Sequence, residues 1–397
     1  MKLATRTTRI APSPTLHMAA TVKAMKAQGL EVFDFGAGEP AQDTPDFIKE
    51  AAHQAMKEGF TKYTPVAGTD ELKEAIIEKF QHDQSLKYEK SQILVSCGAK
   101  HSLFNLAQAL FEAGDEVIIP SPYWVSYPDQ VVLTDATPAY LVTQEEANYS
   151  IDPSALKRCI NPRTKAIILN SPCNPTGSIY DQRTLEGIAE LALRHDLIIV
   201  SDEIYEKIIY DNKPHISIAS LDPEIAKRTI VVNGVSKSYS MTGWRIGYAA
   251  GPKDLIGAMG NVQGQSTSNP TSIAQKAAVA ALRGDQQCIQ HMVAELYLQR
   301  NFIVEQLNGI KGLSCSMPAG AFYVFPNVSA LVGKRHAKGT LSCPADLVTY
   351  LLTEAKVACV PGEPFGSQSH IRLSYTPSLE TIQRGMTQMK AAIERLS

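Results

Sequence analysis

The sequence is short of the features that would place it in a membrane, on nucleic acid or in an oxidising compartment. No apolar run approaches the roughly 18 residues needed to cross a bilayer, so no membrane span is expected. Charge of neither sign is in surplus: the formal net charge is -2, which gives no electrostatic reason to expect nucleic acid or an anionic surface as partner. There are seven cysteines, an odd number, with no CxxC and no close pair. That spacing argues against a disulfide framework and against a zinc site, and no metal is expected. Reduced thiols in the cytoplasm are the expectation. Acidic residues are absent before Glu31, while Lys2, Arg6, Arg9, Lys23 and Lys26 are basic. Such a composition resembles an organelle transit peptide, but no apolar core follows that would make it a secretory signal. Internal repeats and low-complexity tracts are missing as well.

What is present is an ordinary globular composition, with 44% apolar and 20% charged residues over 397 positions. That length supports two or three domains with large cores. Between about 45 and 285, short apolar runs alternate with longer helical patterns. Residues 46–58 and 70–83 read as amphipathic helices, as do Leu103–Phe111 and Thr184–Arg194. The strand-like runs are Ile93–Val95, Glu116–Ile119, Ala166–Leu169, Leu197–Val200, Thr229–Val232 and Arg245–Ala250. Apolar strands alternating with helices imply βαβ units and a mostly parallel sheet buried on both faces. After about 285 the rhythm changes to a long helix (Ile289–Leu307), short strands around Ala321–Phe325 and Ile371–Ser374, and a final helical stretch, Leu379–Leu396. The expected organisation is an N-terminal arm (1–44) that packs with the smaller part or reaches a partner subunit, a large α/β domain (45–285), and a smaller α+β domain (286–397).

Ligands of open α/β sheets bind beyond the carboxyl ends of the strands, so the residues after each strand matter most. Ser96-Cys97-Gly98-Ala99-Lys100 opens a helix, whose free N–H groups suit a phosphate. Pro120-Ser121-Pro122-Tyr123-Trp124 offers an aromatic face for a planar ring. Asn170-Ser171-Pro172-Cys173-Asn174-Pro175-Thr176-Gly177 is a tight polar loop that presents Asn174. Ser201-Asp202-Glu203-Ile204-Tyr205 ends a buried strand on a carboxylate, which asks for a cation such as a protonated ring nitrogen. Asn233-Gly234-Val235-Ser236-Lys237 presents a lysine suited to Schiff-base chemistry, provided burial and nearby cations keep its amine partly neutral. Arg245 adds a two-pronged phosphate clamp. Taken singly, each of these is ordinary turn, core or surface chemistry. Five strand ends bearing cofactor-suited groups together are not.

The strings SPxNPTG, SDEIY, SK followed eight residues on from the lysine by Arg245, and a late RLS together resemble the class I aminotransferases, pyridoxal-phosphate enzymes of fold type I. The resemblance runs from Gly38-Glu39-Pro40 to Arg372 and is nearest to the bacterial aspartate aminotransferases, a subgroup with prephenate-active members. It implies a large domain with a mostly parallel seven-stranded sheet sandwiched by helices, plus a smaller α+β domain. It also implies pyridoxal 5′-phosphate as cofactor, amino acids and 2-oxo acids as substrates, and a homodimer with shared sites.

Carried over residue by residue, the resemblance makes Lys237 the covalent anchor of the cofactor and the base that moves a proton between the substrate Cα and the cofactor C4′. Asp202 would pair with the ring nitrogen, and Tyr205 and Asn174 with the ring 3′-oxygen. Gly98, Ala99, Lys100 and Arg245 would surround the phosphate, with Tyr63 reaching it from the second subunit. Trp124 would stack on the ring and face the substrate. Arg372 and Gly38, assisted by Asn174, would hold the substrate α-carboxylate. Some relatives read a side-chain carboxylate with an arginine around Gln265-Ser266-Thr267-Ser268, and none stands there. The nearest subgroup uses residues matching Lys100, Ser13 and Thr15, which also makes the basic N-terminus part of the mature structure.

Two departures stand out. Gly234 replaces the serine that many relatives place on the phosphate, and Ala41-Gln42-Asp43 follows Gly38-Glu39-Pro40 where an acidic or aromatic pair is common. The expected reaction is transfer of the amino group of L-aspartate to 2-oxoglutarate by ping-pong kinetics. Same-fold alternatives differ in scope: glutamate or prephenate, aromatic, alanine or kynurenine. A non-catalytic regulator with this domain would carry a DNA-binding domain, for which there is no room before Gly38, and a basic surplus.

Overall fold

The computed structural model describes Met1 and residues 3–397; Lys2, one of the basic N-terminal residues, lies outside the described residues. A seven-stranded sheet forms the centre. Its strands are β1 (Ile93–Ser96), β2 (Glu116–Ser121), β3 (Thr137–Val142), β4 (Thr164–Asn170), β5 (Ile198–Asp202), β6 (Thr229–Gly234) and β7 (Gly247–Ala250). Their spatial order is β1-β7-β6-β5-β4-β2-β3. Only β7 runs antiparallel, to both β1 and β6; the other pairings are parallel.

The apolar runs become strands because helices cover both faces. Alternate residues of β4 point to opposite sides: Ala166 and Ile168 pack with Leu103, Leu106 and Ile256, whereas Ile167 and Leu169 pack with Leu185, Ile188 and Ala192. A sheet buried on both faces therefore reads as continuous rather than alternating hydrophobicity. Six of the seven strands coincide with apolar runs of the sequence. The seventh, β3, is not among those runs: its apolar stretch Ala139–Val142 lies at a sheet edge, where Thr137, Tyr140 and Val142 are exposed.

The helices begin on caps written in the sequence. Thr69 Oγ1 accepts the Leu72 N–H ahead of α1 (Asp70–Gln84), and Asp181 accepts the Thr184 N–H ahead of α2 (Gln182–His195). Helices Lys253–Ser266 and Ser272–Arg283 have no counterpart among the expected elements. The first holds three glycines, which lower helix propensity, and both are held by packing instead. Several bounds shift by a few residues. Arg245 lies outside its strand in a left-handed conformation, and the helix expected from Leu103 begins at Ala99.

The C-terminal part carries a small antiparallel sheet of β8 (Tyr323–Val324), β9 (Val360–Pro361) and β10 (Ile371–Ser374), in the order β9-β10-β8. The long helix Gln287–Asn308 and the final helix Leu379–Ile393 pack against one another beside it. The N-terminal segment joins this part: Phe33–Asp34 pairs in parallel with Val357–Ala358. No helix among the described residues is long and apolar enough to cross a membrane, and all seven cysteines are free.

Candidate active site

The carboxyl ends of β2, β4, β5 and β6 open into one cavity of about 310 Å³. Ser13, Thr15, Gly38, Ala99, Lys100 and Trp124 line it, together with Asn174, Asp202, Tyr205, Lys237, Arg245 and Arg372. Residues separated by more than 350 positions thus meet at one place. Gly98 lies directly behind Ala99 at the cavity wall. Of the expected site residues, Gly98 and Tyr63 are not among those lining it, and Tyr63 is 90% exposed on the protomer surface.

The phosphate end follows from close backbone packing. Gly98 has φ +91°, and a Cβ there would collide with the Arg245 guanidinium. At Gly247 a Cβ would run into the backbone nitrogen of Ala99. Glycine at both positions lets helix Ala99–Leu110 start at the cavity edge, where its first N–H groups precede any intrahelical bond. The Arg245 guanidinium is held at that edge by the carbonyls of Thr242 (2.8 Å) and Cys97 (3.2 Å) while remaining exposed. Gly234, in contrast, is buried in β6, where a Cβ would sit 3.0 Å from Gly247 Cα. A side chain there would be tightly packed, and Ser236 lines the cavity instead.

Asp202 ends β5 almost fully buried, at 4% exposure. Its Oδ2 accepts the Tyr127 hydroxyl at 2.7 Å and its Oδ1 accepts the Ile204 N–H at 3.2 Å. It has no ion-pair partner among the described residues. Burial pushes its carboxyl up to about 6, although the Tyr127 and Ile204 bonds pull the other way. A carboxylate buried this deeply is costly unless a cation meets it.

Lys237 faces Asp202 across the cavity, and its Nζ donates to the Gly38 carbonyl at 2.6 Å. Burial pulls its amine down to about 8, assisted by the charges of Arg372 and Arg245 and opposed by Glu39. The neutral amine that a nucleophile requires is therefore far more accessible than in a free lysine.

Arg372 is the largest fully buried side chain. Nη1 donates to Asn174 Oδ1 and Nη2 to the Gly36 carbonyl, each at 3.0 Å, while the buried Nε has no partner. The guanidinium carbon lies 4.5 Å from the Tyr323 ring centroid and 5.0 Å from that of Phe365. The Asn174 loop is tied back to β4 and β5: Asn174 N–H donates to Asn170 Oδ1 (2.8 Å), and Asn170 Nδ2 to the Asp202 carbonyl (3.0 Å). At the cavity mouth the Lys100 ammonium lies 4.9 Å from the Trp124 ring centroid. Ser13 caps the helix Pro14–Ala27, accepting the Leu16 N–H at 3.5 Å.

The donor set fits pyridoxal phosphate: a glycine-opened helix terminus and an exposed arginine at one end, a buried carboxylate with no ion-pair partner among the described residues, and a lysine whose amine burial pulls down. Tyr127, Asn170, Ser236 and Tyr323 complete the cavity without being among the residues singled out in the sequence. Asn170 and Ser236 adjoin motif residues and are within reach of that reading. Tyr127 and Tyr323 sit in ordinary apolar patterns and carry no local signal. The segment Ala41-Gln42-Asp43 lines a neighbouring cleft rather than the cavity, with Gln42 bound to Glu295 at 2.7 Å. Outside the site, Glu203, Glu206 and His215 cluster closely. Lys79 supplies the positive charge there, 2.5 Å from Glu206.

Known proteins resemble this chain closely over its full length. The family described as "Aminotransferase class I and II" matches residues 31–388. The aspartate aminotransferase of Geobacillus stearothermophilus is 49% identical, with 99% of each chain covered. The aspartate/prephenate aminotransferase of Nitrosomonas europaea is 44% identical, covering 99% of this chain and all of that one. The solved structure of an aspartate aminotransferase from Rhizobium meliloti superposes with a TM-score of 0.96 at 42% identity, covering both chains completely. The chain belongs to the class I and II aminotransferases.

Proposed function

We propose that this aminotransferase moves the amino group of L-aspartate to 2-oxoglutarate in two half-reactions, working as a homodimer in the cytoplasm. Pyridoxal phosphate is the family's cofactor. When bound, it supplies a protonated pyridine ring as a sink for the electrons left at the substrate Cα.

The observation that carries the reading is the opposition of Lys237 and Asp202 across one cavity, the amine pulled down to about 8 and the carboxyl buried without a cation. Asp202 keeps the ring nitrogen protonated, and Tyr127 orients the carboxylate that does so. Lys237 would anchor the cofactor and would be the base that moves the proton released at the substrate Cα. Tyr205 and Asn174 hold the ring oxygen. Helix Ala99–Leu110 and Arg245 hold the phosphate, and the exposed Tyr63 reaches that phosphate in the second protomer. Arg372 binds the α-carboxylate in a bidentate fork, using the edge that includes the partnerless Nε.

Lys100, Ser13 and Thr15 meet at the cavity mouth and suit the distal carboxylate of a four- or five-carbon diacid. The naming of close relatives for aspartate supports this choice of donor; the name of the Nitrosomonas europaea relative makes prephenate the second acceptor to try. Residues 1–44 and 286–397 form the body that closes over the bound diacid. Initial-rate kinetics with aspartate and 2-oxoglutarate test the proposal. Parallel double-reciprocal lines agree with it; intersecting lines, or turnover only with aromatic donors, would overturn it.

A further inference from the structure

The Tyr205 hydroxyl has a buried partner within the chain. Tyr323 Oη lies 2.9 Å from Tyr205 Oη, and either oxygen can be the donor. Tyr323 belongs to β8 of the small sheet and stands opposite Ser374 on β10, the strand that carries Arg372. Its ring, like that of Phe365, lies under the Arg372 guanidinium, and its hydroxyl faces Gly38, where a Cβ would come within 3.2 Å. One side chain therefore touches the arginine assigned to the substrate carboxylate, the tyrosine assigned to the cofactor ring oxygen, and the backbone that accepts from Lys237.

Two hydroxyls this close share one proton between them, so one must donate. If Tyr205 donates outward to the cofactor ring oxygen, its lone pair is left to accept, and Tyr323 becomes the donor. A donor behind a donor polarises it and strengthens the outer bond. A positive guanidinium over the Tyr323 ring favours the same direction, because it makes the phenol a better proton donor.

We propose that Tyr323 is a positioning residue: its hydroxyl fixes the Tyr205 O–H toward the cofactor ring oxygen, and its ring seats Arg372. This rests on the cofactor reading above. A stronger donor on the ring oxygen draws charge from it and lowers the proton affinity of the lysine nitrogen beside it. Losing Tyr323's hydroxyl raises that affinity, with little change in carboxylate capture.

The test is Tyr323→Phe in the cofactor-loaded dimer, which keeps the ring under Arg372. The expected result is a rise of about half a pH unit or more in the midpoint of the visible absorbance titration, with kcat for aspartate down roughly threefold to tenfold and KM nearly unchanged. In a Tyr205→Phe background the same substitution should move the midpoint no further, because the effect runs through Tyr205. A melting curve of the cofactor-free variant checks that the fold is kept. An unchanged midpoint, or a shift just as large in the Tyr205→Phe background, would overturn the proposal. A wild-type protein with no visible band at all would instead remove the cofactor reading beneath it.

Discussion

Arg372 and Asn174, almost two hundred residues apart, meet through a 3.0 Å hydrogen bond from Nη1 to Oδ1. That bond joins the small sheet to the loop after β4, so the substrate clamp and the cofactor clamp are set by one contact. Arg372→Lys keeps the charge but cannot make the bond to Asn174 and the bond to Gly36 while presenting a fork to a carboxylate. The expected result is a rise in the aspartate KM of tenfold or more, about 1.4 kcal/mol or greater, with a smaller fall in kcat. Steady-state kinetics with aspartate checks it; an unchanged KM would remove Arg372 from carboxylate binding.

Asp202 is expected to matter for chemistry rather than folding. Asp202→Ala removes the anion that keeps a ring nitrogen protonated, a pairing of about 4 kcal/mol at an effective dielectric near 20 before desolvation. Turnover should fall by orders of magnitude while the circular dichroism spectrum is retained. Near-normal kinetics would sink the assignment.

The same residues predict how the cofactor-free protein responds to pH. Asp202 is raised from 3.8 to about 6, so the folded chain holds its proton more tightly than the unfolded one. Its contribution is present at low pH and is lost as pH rises from about 4 to 6. Lys237 is lowered from 10.5 to about 8, so the unfolded chain binds the proton more tightly there. Its contribution to stability rises as pH climbs from about 8 to 10.5. Thermal melts across both windows, compared with Asp202→Asn and Lys237→Met, check the signs; identical pH profiles in variant and wild type would contradict them.

Donor choice is expected to sit at the cavity mouth. Lys100→Ala should raise the KM for aspartate far more than the KM for alanine, which has no distal carboxylate. Equal effects on both would show that Lys100 does not read the side chain of the substrate.

Much of this arrangement is legible in the sequence because its chemistry is concentrated at strand ends. A strand buried on both faces announces itself as an apolar run, and the residues directly after that run are aimed at the ligand. The signal fades where tertiary context decides. β3 has only the short apolar stretch Ala139–Val142 at a sheet edge, with Thr137, Tyr140 and Val142 exposed, so it stands out less than strands buried on both faces. Tyr127 reaches Asp202 from a short helix 75 residues upstream, and nothing in its neighbourhood distinguishes it from a core tyrosine. Tyr323 follows Phe322 in an apolar strand, and its partner Tyr205 is 118 residues away. Gly234 reads as a lost phosphate ligand, yet it is buried with the backbone of β7 packed tightly against it.

Lys237 is held to carry a cofactor that aspartate can discharge. A visible absorbance scan of the purified protein with pyridoxal phosphate, before and after L-aspartate and then 2-oxoglutarate, tests this most directly. The predicted result is a yellow band that bleaches with aspartate, returns with 2-oxoglutarate and is absent from Lys237→Ala. A band that aspartate leaves unchanged would contradict the donor, and no band at all in the wild-type protein would contradict the role of Lys237.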